Sequence, residues 1–254
     1  MDNTSQSASQ EILPADGDLS DAWQSNQTPA TMKHQRGIRS FVKREGRLSP
    51  RVQKVWDEMS AEYIIPKDVF QKLEGNPDAL LTTLFGDTRA KLPLVVEIGS
   101  GQGNQVVHSA KGNPEVNYLA LEVYHTGAAH TLLLMRNNNV TNVRIAELDA
   151  KELLLSGALK GVISELWTFF PDPWPKRNHH KRRLVNDDFL KIVKENVSPG
   201  GVWRLATDWA HYAQQMRAVL KTTPGKRFDG RLLTNFEKKG IAAGREIFDF
   251  TVQM

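Results

Sequence analysis

Residues 92–103 read LPLVVEIGSGQG: a short apolar run, an acid at Glu97, then glycines at 99, 101 and 103. An unbroken Leu-Val-Val run bounded by turn residues is the pattern of a strand buried on both faces. The glycines turn the chain tightly and let backbone approach a ligand without Cβ interference. Val106, Val107 and Ala110 then supply the apolar face of a helix. Strand, glycine turn and helix in that order open a doubly wound sheet, and the turn is where such sheets bind ligands. Tight turns also use glycine for their own sake, so the loop alone points only weakly to a ligand.

Working outward, strand-like and helix-like patterns alternate. VNYLALEV (116–123), NVRIAELDA (142–150), VISELWTFF (162–170) and VWRLATD (202–208) read as the second to fifth strands, and REIFDFTVQM (245–254) alternates as the last. Helices are expected after the second strand to about residue 137, over 184–197 with SPGG (198–201) as its stop, and around Tyr212, Ala213, Met216, Val219 and Leu220. The alternation predicts an α/β fold, a mostly parallel sheet with helices on both faces. Upstream, Val52, Val55, Trp56 and Met59 recur at helical spacing and mark the start of the folded part, placed at 55–254.

Composition narrows the chemistry. Among 254 residues there is no cysteine, which removes disulfides, thiolate-held zinc or iron–sulfur clusters and cysteine nucleophiles. No apolar run approaches the ~18 residues that span a bilayer. The polar, acidic N-terminus lacks the cationic and apolar regions of a secretory signal, so a cytoplasmic location and no membrane partner are expected. Residues 1–32 carry five acids and no Lys or Arg, and read as a disordered tail. The rest holds 33 basic against 24 acidic side chains, a net +9 that favours polyanions. Residues 33–54 alone contain eight Lys or Arg and one acid, a basic arm unless it is simply a solvated linker.

Three acids fall at the carboxyl ends of successive strands: Glu97, Glu122 and Asp149. Glu122 stands where an acid accepts hydrogen bonds from ribose hydroxyls, and Glu97, beside the glycine turn, can meet an ammonium group. Asp149 reads equally well as a helix cap, as does Asp208 at the end of the fifth strand. A site so lined suits a ligand with an amine, a ribose and an adenine, and suits a pyrophosphate poorly. S-adenosylmethionine meets that description; NAD, the cofactor of an alternative oxidoreductase reading, meets it in part. The G-x-G-x-G spacing is also one residue short of the dinucleotide pattern.

The fourth strand runs into FFPDPWPKRNHHKRR (169–183). Its three prolines bias Phe170, Asp172 and Trp174 toward extended backbone, predicting a stiff loop that presents Asp172. Trp174 suits either stacking on a base or core packing. The cations that follow are either a solvated run or a phosphate grip, and the adjacent His179 and His180 lack a third partner for a metal. No metal is expected.

Taken in order, EIGSGQG, the acid of ALEVY, LDA, FFPDPWPK with HHKRR, ATDW and TNFE resemble the bacterial tRNA (guanine-N7)-methyltransferases, as does the arm RSFVKREGRLS. The resemblance spans most of residues 36–254, and the F-P-D-P-W segment with its basic tail is far more specific than the glycine turn. It implies a class I, Rossmann-like methyltransferase fold, S-adenosyl-L-methionine as donor, and a guanosine of the tRNA variable loop as acceptor. By matching position, Glu97, Gly99, Gly101, Gly103, Glu122, Asp149 and Asp172 would hold the cofactor, with Asp172 also catalytic. Lys176, Asp208, Thr234, Asn235, Phe236 and Glu237 would contact the substrate. Asn178, His179, His180, Lys181, Arg182 and Arg183 would touch RNA. Ala120 replaces a usual glycine, which is expected to alter the ribose pocket slightly, and Asn178 stands where arginine is common. A monomer or homodimer is expected. An RNA-binding module without catalysis would leave Asp172 unexplained.

Overall fold

The computed structural model describes residues 39–41 and 46–254, except the side chains of Asn235 and Phe236. The tail expected over 1–32 and much of the arm expected over 33–54 lie outside them. Nine helices are found among the described residues: α1 (Pro50–Tyr63), α2 (Lys67–Lys72), α3 (Pro77–Phe85), α4 (Asn104–Gly112), α5 (His125–Asn138), α6 (Ala150–Leu155), α7 (Asp187–Asn196), α8 (Ala210–Leu220) and α9 (Asn235–Ala242). The strands are β1 (Leu94–Ile98), β2 (Asn117–Leu121), β3 (Val143–Ala146), β4 (Ile163–Phe169), β5 (Val197–Thr207) and β6 (Phe248–Gln253). They form one sheet in the order β3-β2-β1-β4-β5-β6, parallel except for β6.

The period-2 pattern of the strands divides the core. Leu94 and Val96 of β1 point into a cluster with α3, α6, α7 and α8, while Val95 between them joins a second cluster with α1, α4 and α5. Helices therefore cover both faces, as the alternation predicted. Ala120 is fully buried in the second cluster, so its departure from glycine is taken up by packing rather than in a ligand pocket.

Local chemistry sets the helix starts. Pro50 and Pro77 occupy first-turn positions, where their missing N–H costs nothing. Asn76 and Asn186 cap α3 and α7 by accepting from Ala79 and Phe189. Residues 50–54, expected in the arm, are the first turns of α1.

One expected boundary is overturned. SPGG does not merely stop a helix: α7 ends at Asn196 and β5 begins at once, with SPGG inside it. The pairing with β4 shifts register there, Gly200 has φ of 80°, and a Cβ on Gly201 would lie 2.9 Å from the Ser164 carbonyl oxygen. Glycines here serve an irregular strand rather than a helix end.

Candidate active site

The turn after β1 needs its glycines for two reasons. Gly99, Gly101 and Gly103 have φ of 70°, 57° and 78°. A Cβ on Gly103 would also collide with the Thr131 side chain, so α5 could not pack so closely. Gly127, in the first turn of α5, approaches the loop from the other side: a Cβ there would sit 2.6 Å from the Gly101 carbonyl oxygen.

Glu122 ties the turn together. Its Oε2 accepts from Gly101 N–H at 2.6 Å, and its Oε1 from Val123 and Tyr124 N–H at 2.7 and 2.9 Å. Burial raises its pKa, opposed by these three bonds. A carboxylate has about four lone-pair positions, so one remains for a ligand hydroxyl.

Glu97 is in a different state. It is 4 % exposed, accepts from Val106 N–H, and its Oε2 has no hydrogen-bond partner among the described residues. Burial, with a smaller push from Glu122, raises its pKa to about 8. A buried carboxyl oxygen of this kind fits a ligand ammonium, which would draw out its ionised form. It lines a hollow of about 490 Å³ with Ser100, Gln105, Arg231, Leu232 and Thr234.

A second hollow, about 270 Å³, is lined by Leu121, Glu122, Leu148, Asp149, Thr168, Pro171, Asp172 and Phe41. Gly99, Gly101, Phe169 and Phe170 line both. Asp149 caps α6 through Oδ1, which accepts from Lys151 N–H at 2.9 Å, so the cap reading holds, and it also lines the hollow. The three strand-end acids and Asp172 thus meet at one edge of the sheet.

The segment 169–183 departs from its expected form. Phe170 and Trp174 adopt left-handed backbone, with φ of 53° and 43°, although proline follows each. Tertiary bonds override the local bias. Phe170 N–H continues the β4–β5 ladder to Ala206 O at 2.7 Å, while Trp174 Nε1 donates to Ser40 O at 2.8 Å. Arg182 lies over the Trp174 ring, and His179 meets its edge. Trp174 therefore joins the loop to arm residues 39–41, neither lost in the core nor free.

The basic run winds into a 3₁₀ segment, Arg177–Arg182. Lys176, Asn178 and Lys181 are exposed, and His179, His180 and Arg182 are half-buried. Arg183 is a correction to the expected RNA contacts: it is 1 % exposed. Its Nε donates to Pro173 O at 2.9 Å and its Nη1 to Gln215 Oε1 at 2.8 Å, so it braces the loop from beneath.

The expected substrate residues also divide. Asp208 is not the cap of α8; its Oδ2 accepts from Arg245 at 2.6 Å. Thr234 caps α9, accepting from Glu237 N–H at 3.2 Å, and lines the Glu97 hollow. Glu237 is corrected: it is 1 % exposed and both oxygens bind Arg231, with Oε1 also bound by Arg227. The side chains of Asn235 and Phe236 lie outside the described residues. Sequence reasoning missed Arg231, whose carboxylate partners lie 6 and 18 residues away. The T-x-x-E spacing of a capping box was the available signal for the start of α9.

The sheet order, the glycine turn and the acids along one edge define a class I methyltransferase fold, and residues 91–250 match the family Methyltransf_4, described as "Putative methyltransferase". A "tRNA (guanine-N(7)-)-methyltransferase" of Bifidobacterium longum subsp. infantis is 39 % identical over 267 residues, covering 89 % of this chain and 91 % of that protein. Proteins of the same name from Paenarthrobacter aurescens and Arthrobacter sp. are 36 % and 41 % identical, covering 84 % and 83 % of this chain and 90 % and 84 % of theirs. The chain belongs to the bacterial tRNA (guanine-N7)-methyltransferase family and is an enzyme of that class.

Proposed function

We propose that the chain, acting in the cytoplasm, transfers the methyl group of S-adenosyl-L-methionine to N7 of a guanosine in the tRNA variable loop, giving 7-methylguanosine. One observation carries the reading: Asp172 lines the same hollow as Glu122 and Asp149, next to the hollow that holds Glu97. Glu97 would hold the cofactor's ammonium, Glu122 and Asp149 its ribose and adenine, with the glycine turn running between the two hollows. When bound, the cofactor supplies an electrophilic sulfonium methyl.

Guanine N7 carries a lone pair and no proton, so no general base is needed. The residues must instead align two reactants, an effect that can remove ~7 to 11 kcal/mol of barrier. The purine becomes cationic as it is methylated, and a fixed carboxylate beside it stabilises that charge more in the transition state than before it. Asp172 has this role, accepting from guanine N1–H and N2–H, donors that adenine lacks on that edge. Lys176, Asp208 and Thr234 flank the acceptor, while Lys181 and its exposed neighbours grip phosphates.

The test is methylation of unmodified tRNA transcript with labelled donor, followed by mapping of the modified nucleotide. A 7-methylguanosine in the variable loop is expected; label at another atom or in another loop overturns the reading.

A further inference from the structure

The segment between α8 and α9 lines the Glu97 hollow through residues 231–234 and is held to the rest of the molecule by buried side chains. Gln105 of α4 binds it twice: Nε2 donates to Gly230 O at 2.9 Å, and Leu232 N–H donates to Oε1 at 2.6 Å. Between these contacts Arg231 turns inward, with its side chain 2 % exposed. Its Nε and Nη2 fork onto the two oxygens of Asp249 in β6, at 2.8 and 2.9 Å. Its Nη1 and Nη2 bind the two oxygens of Glu237 in α9, at 2.8 and 2.9 Å. Arg227 adds a second cation on Glu237 at 2.7 Å, so two cations face two carboxylates.

The guanidinium has a third neighbour. It lies 5.4 Å from the centroid of the Phe170 ring and 5.8 Å from that of Phe169. Phe170 is the left-handed residue directly before Pro171 and Asp172. A bulky non-glycine residue keeps such backbone only where its surroundings impose it. Arg231 therefore touches the turn that carries Asp172 and, through Glu237, the helix capped by Thr234.

We propose that Arg231 is a positioning residue for methyl transfer: its guanidinium holds the Phe170–Asp172 turn and the Thr234 segment in one frame. Lysine cannot replace it, because a point charge offers neither the double fork nor a planar face for the ring. The rate part of the proposal rests on the reading of Asp172 given above.

The experiment compares wild type, Arg231→Lys and Phe170→Leu by amide hydrogen exchange and by single-turnover methylation of tRNA transcript at saturating concentrations. R231K is expected to raise exchange in both 170–176 and 231–237. Its single-turnover rate should fall about 10- to 100-fold, the scale of a ~1 Å misplacement, with cofactor and tRNA raised until each saturates the variant. F170L should loosen 170–176 and leave 231–237 protected. Should R231K not fold, Asp249→Asn removes one charge from the fork and is expected to loosen both segments to a smaller degree. Loosening of 231–237 alone, or a saturated single-turnover rate within about threefold of wild type, overturns the proposal. If wild type methylates no tRNA, the functional reading fails, while the exchange result still decides whether Arg231 couples the two segments.

Discussion

The sharpest consequence of the site concerns Glu97, whose pKa burial raises to about 8. At pH 7 only about one in ten of these carboxyls is ionised, and at pH 6 about one in a hundred. A ligand ammonium is held by the ionised form, so affinity for S-adenosylmethionine should fall about tenfold per pH unit below 8, each tenfold step being ~1.4 kcal/mol. The sign for the free protein is opposite. Its folded pKa lies above the ordinary carboxyl value, so Glu97's contribution to stability is fully present below about pH 4.5 and is lost as pH rises through about 8. The cofactor's stabilisation of the fold grows across the same window. Calorimetric titration from pH 5.5 to 7.5, in buffers of different ionisation enthalpy, reads both the slope and the proton released. Glu97→Gln should bind more weakly with that slope removed. A wild-type affinity that stays flat over the window would refute the assignment of Glu97 to the ammonium.

Three further outcomes follow from named contacts. Asp172→Ala should lower kcat by about 10²- to 10³-fold, the scale of losing one preorganised electrostatic partner, with cofactor affinity near wild type; unchanged turnover with tRNA would end its catalytic role. Gly127→Ala drives a Cβ against Gly101 O and should destabilise the fold by ~1–3 kcal/mol while weakening cofactor binding, both readable from melting with and without cofactor. Binding to tRNA should weaken steeply with salt. Lys181→Ala is expected to lower that salt slope by about one without moving Tm, whereas Arg183→Ala should lower Tm and leave the slope close to wild type. The reverse pattern would put Arg183 on the RNA and Lys181 in the scaffold.

Why the two halves of the site were unequally legible is a matter of how far each residue's partners lie along the chain. The acids at the ends of β1 to β3 could be read because a parallel sheet brings every strand's carboxyl end to one edge, so topology alone gathers Glu97, Glu122 and Asp149. The unbroken Leu-Val-Val run likewise showed that β1 is buried on both faces, and its two clusters take alternate residues. The cations offered no such rule. Arg182 and Arg183 are adjacent and identical in type, yet one packs on Trp174 and the other is buried against Pro173, His211 and Gln215. What separates them is the 3₁₀ winding, together with polar partners from α8 some 28 and 32 positions away, and no local pattern encodes either. Arg231 is the same case with larger effect, a buried cation whose partners in α9 and β6 had no predicted contact with it. Phe170 and Trp174 complete the lesson: proline biases the preceding residue toward extended backbone by a modest steric preference, and a strand ladder or an indole hydrogen bond is enough to overcome it. The loop expected to be stiff from its three prolines departs from their extended backbone, and it is tied down by Arg183 bonding Pro173 O and by the Trp174–Ser40 bond, with the Arg231 guanidinium against the Phe170 ring. The placement of Asp172, and with it the catalytic role proposed for it, is therefore a tertiary property of this chain, and substitutions at those distant braces should move it as surely as substitutions in the loop itself.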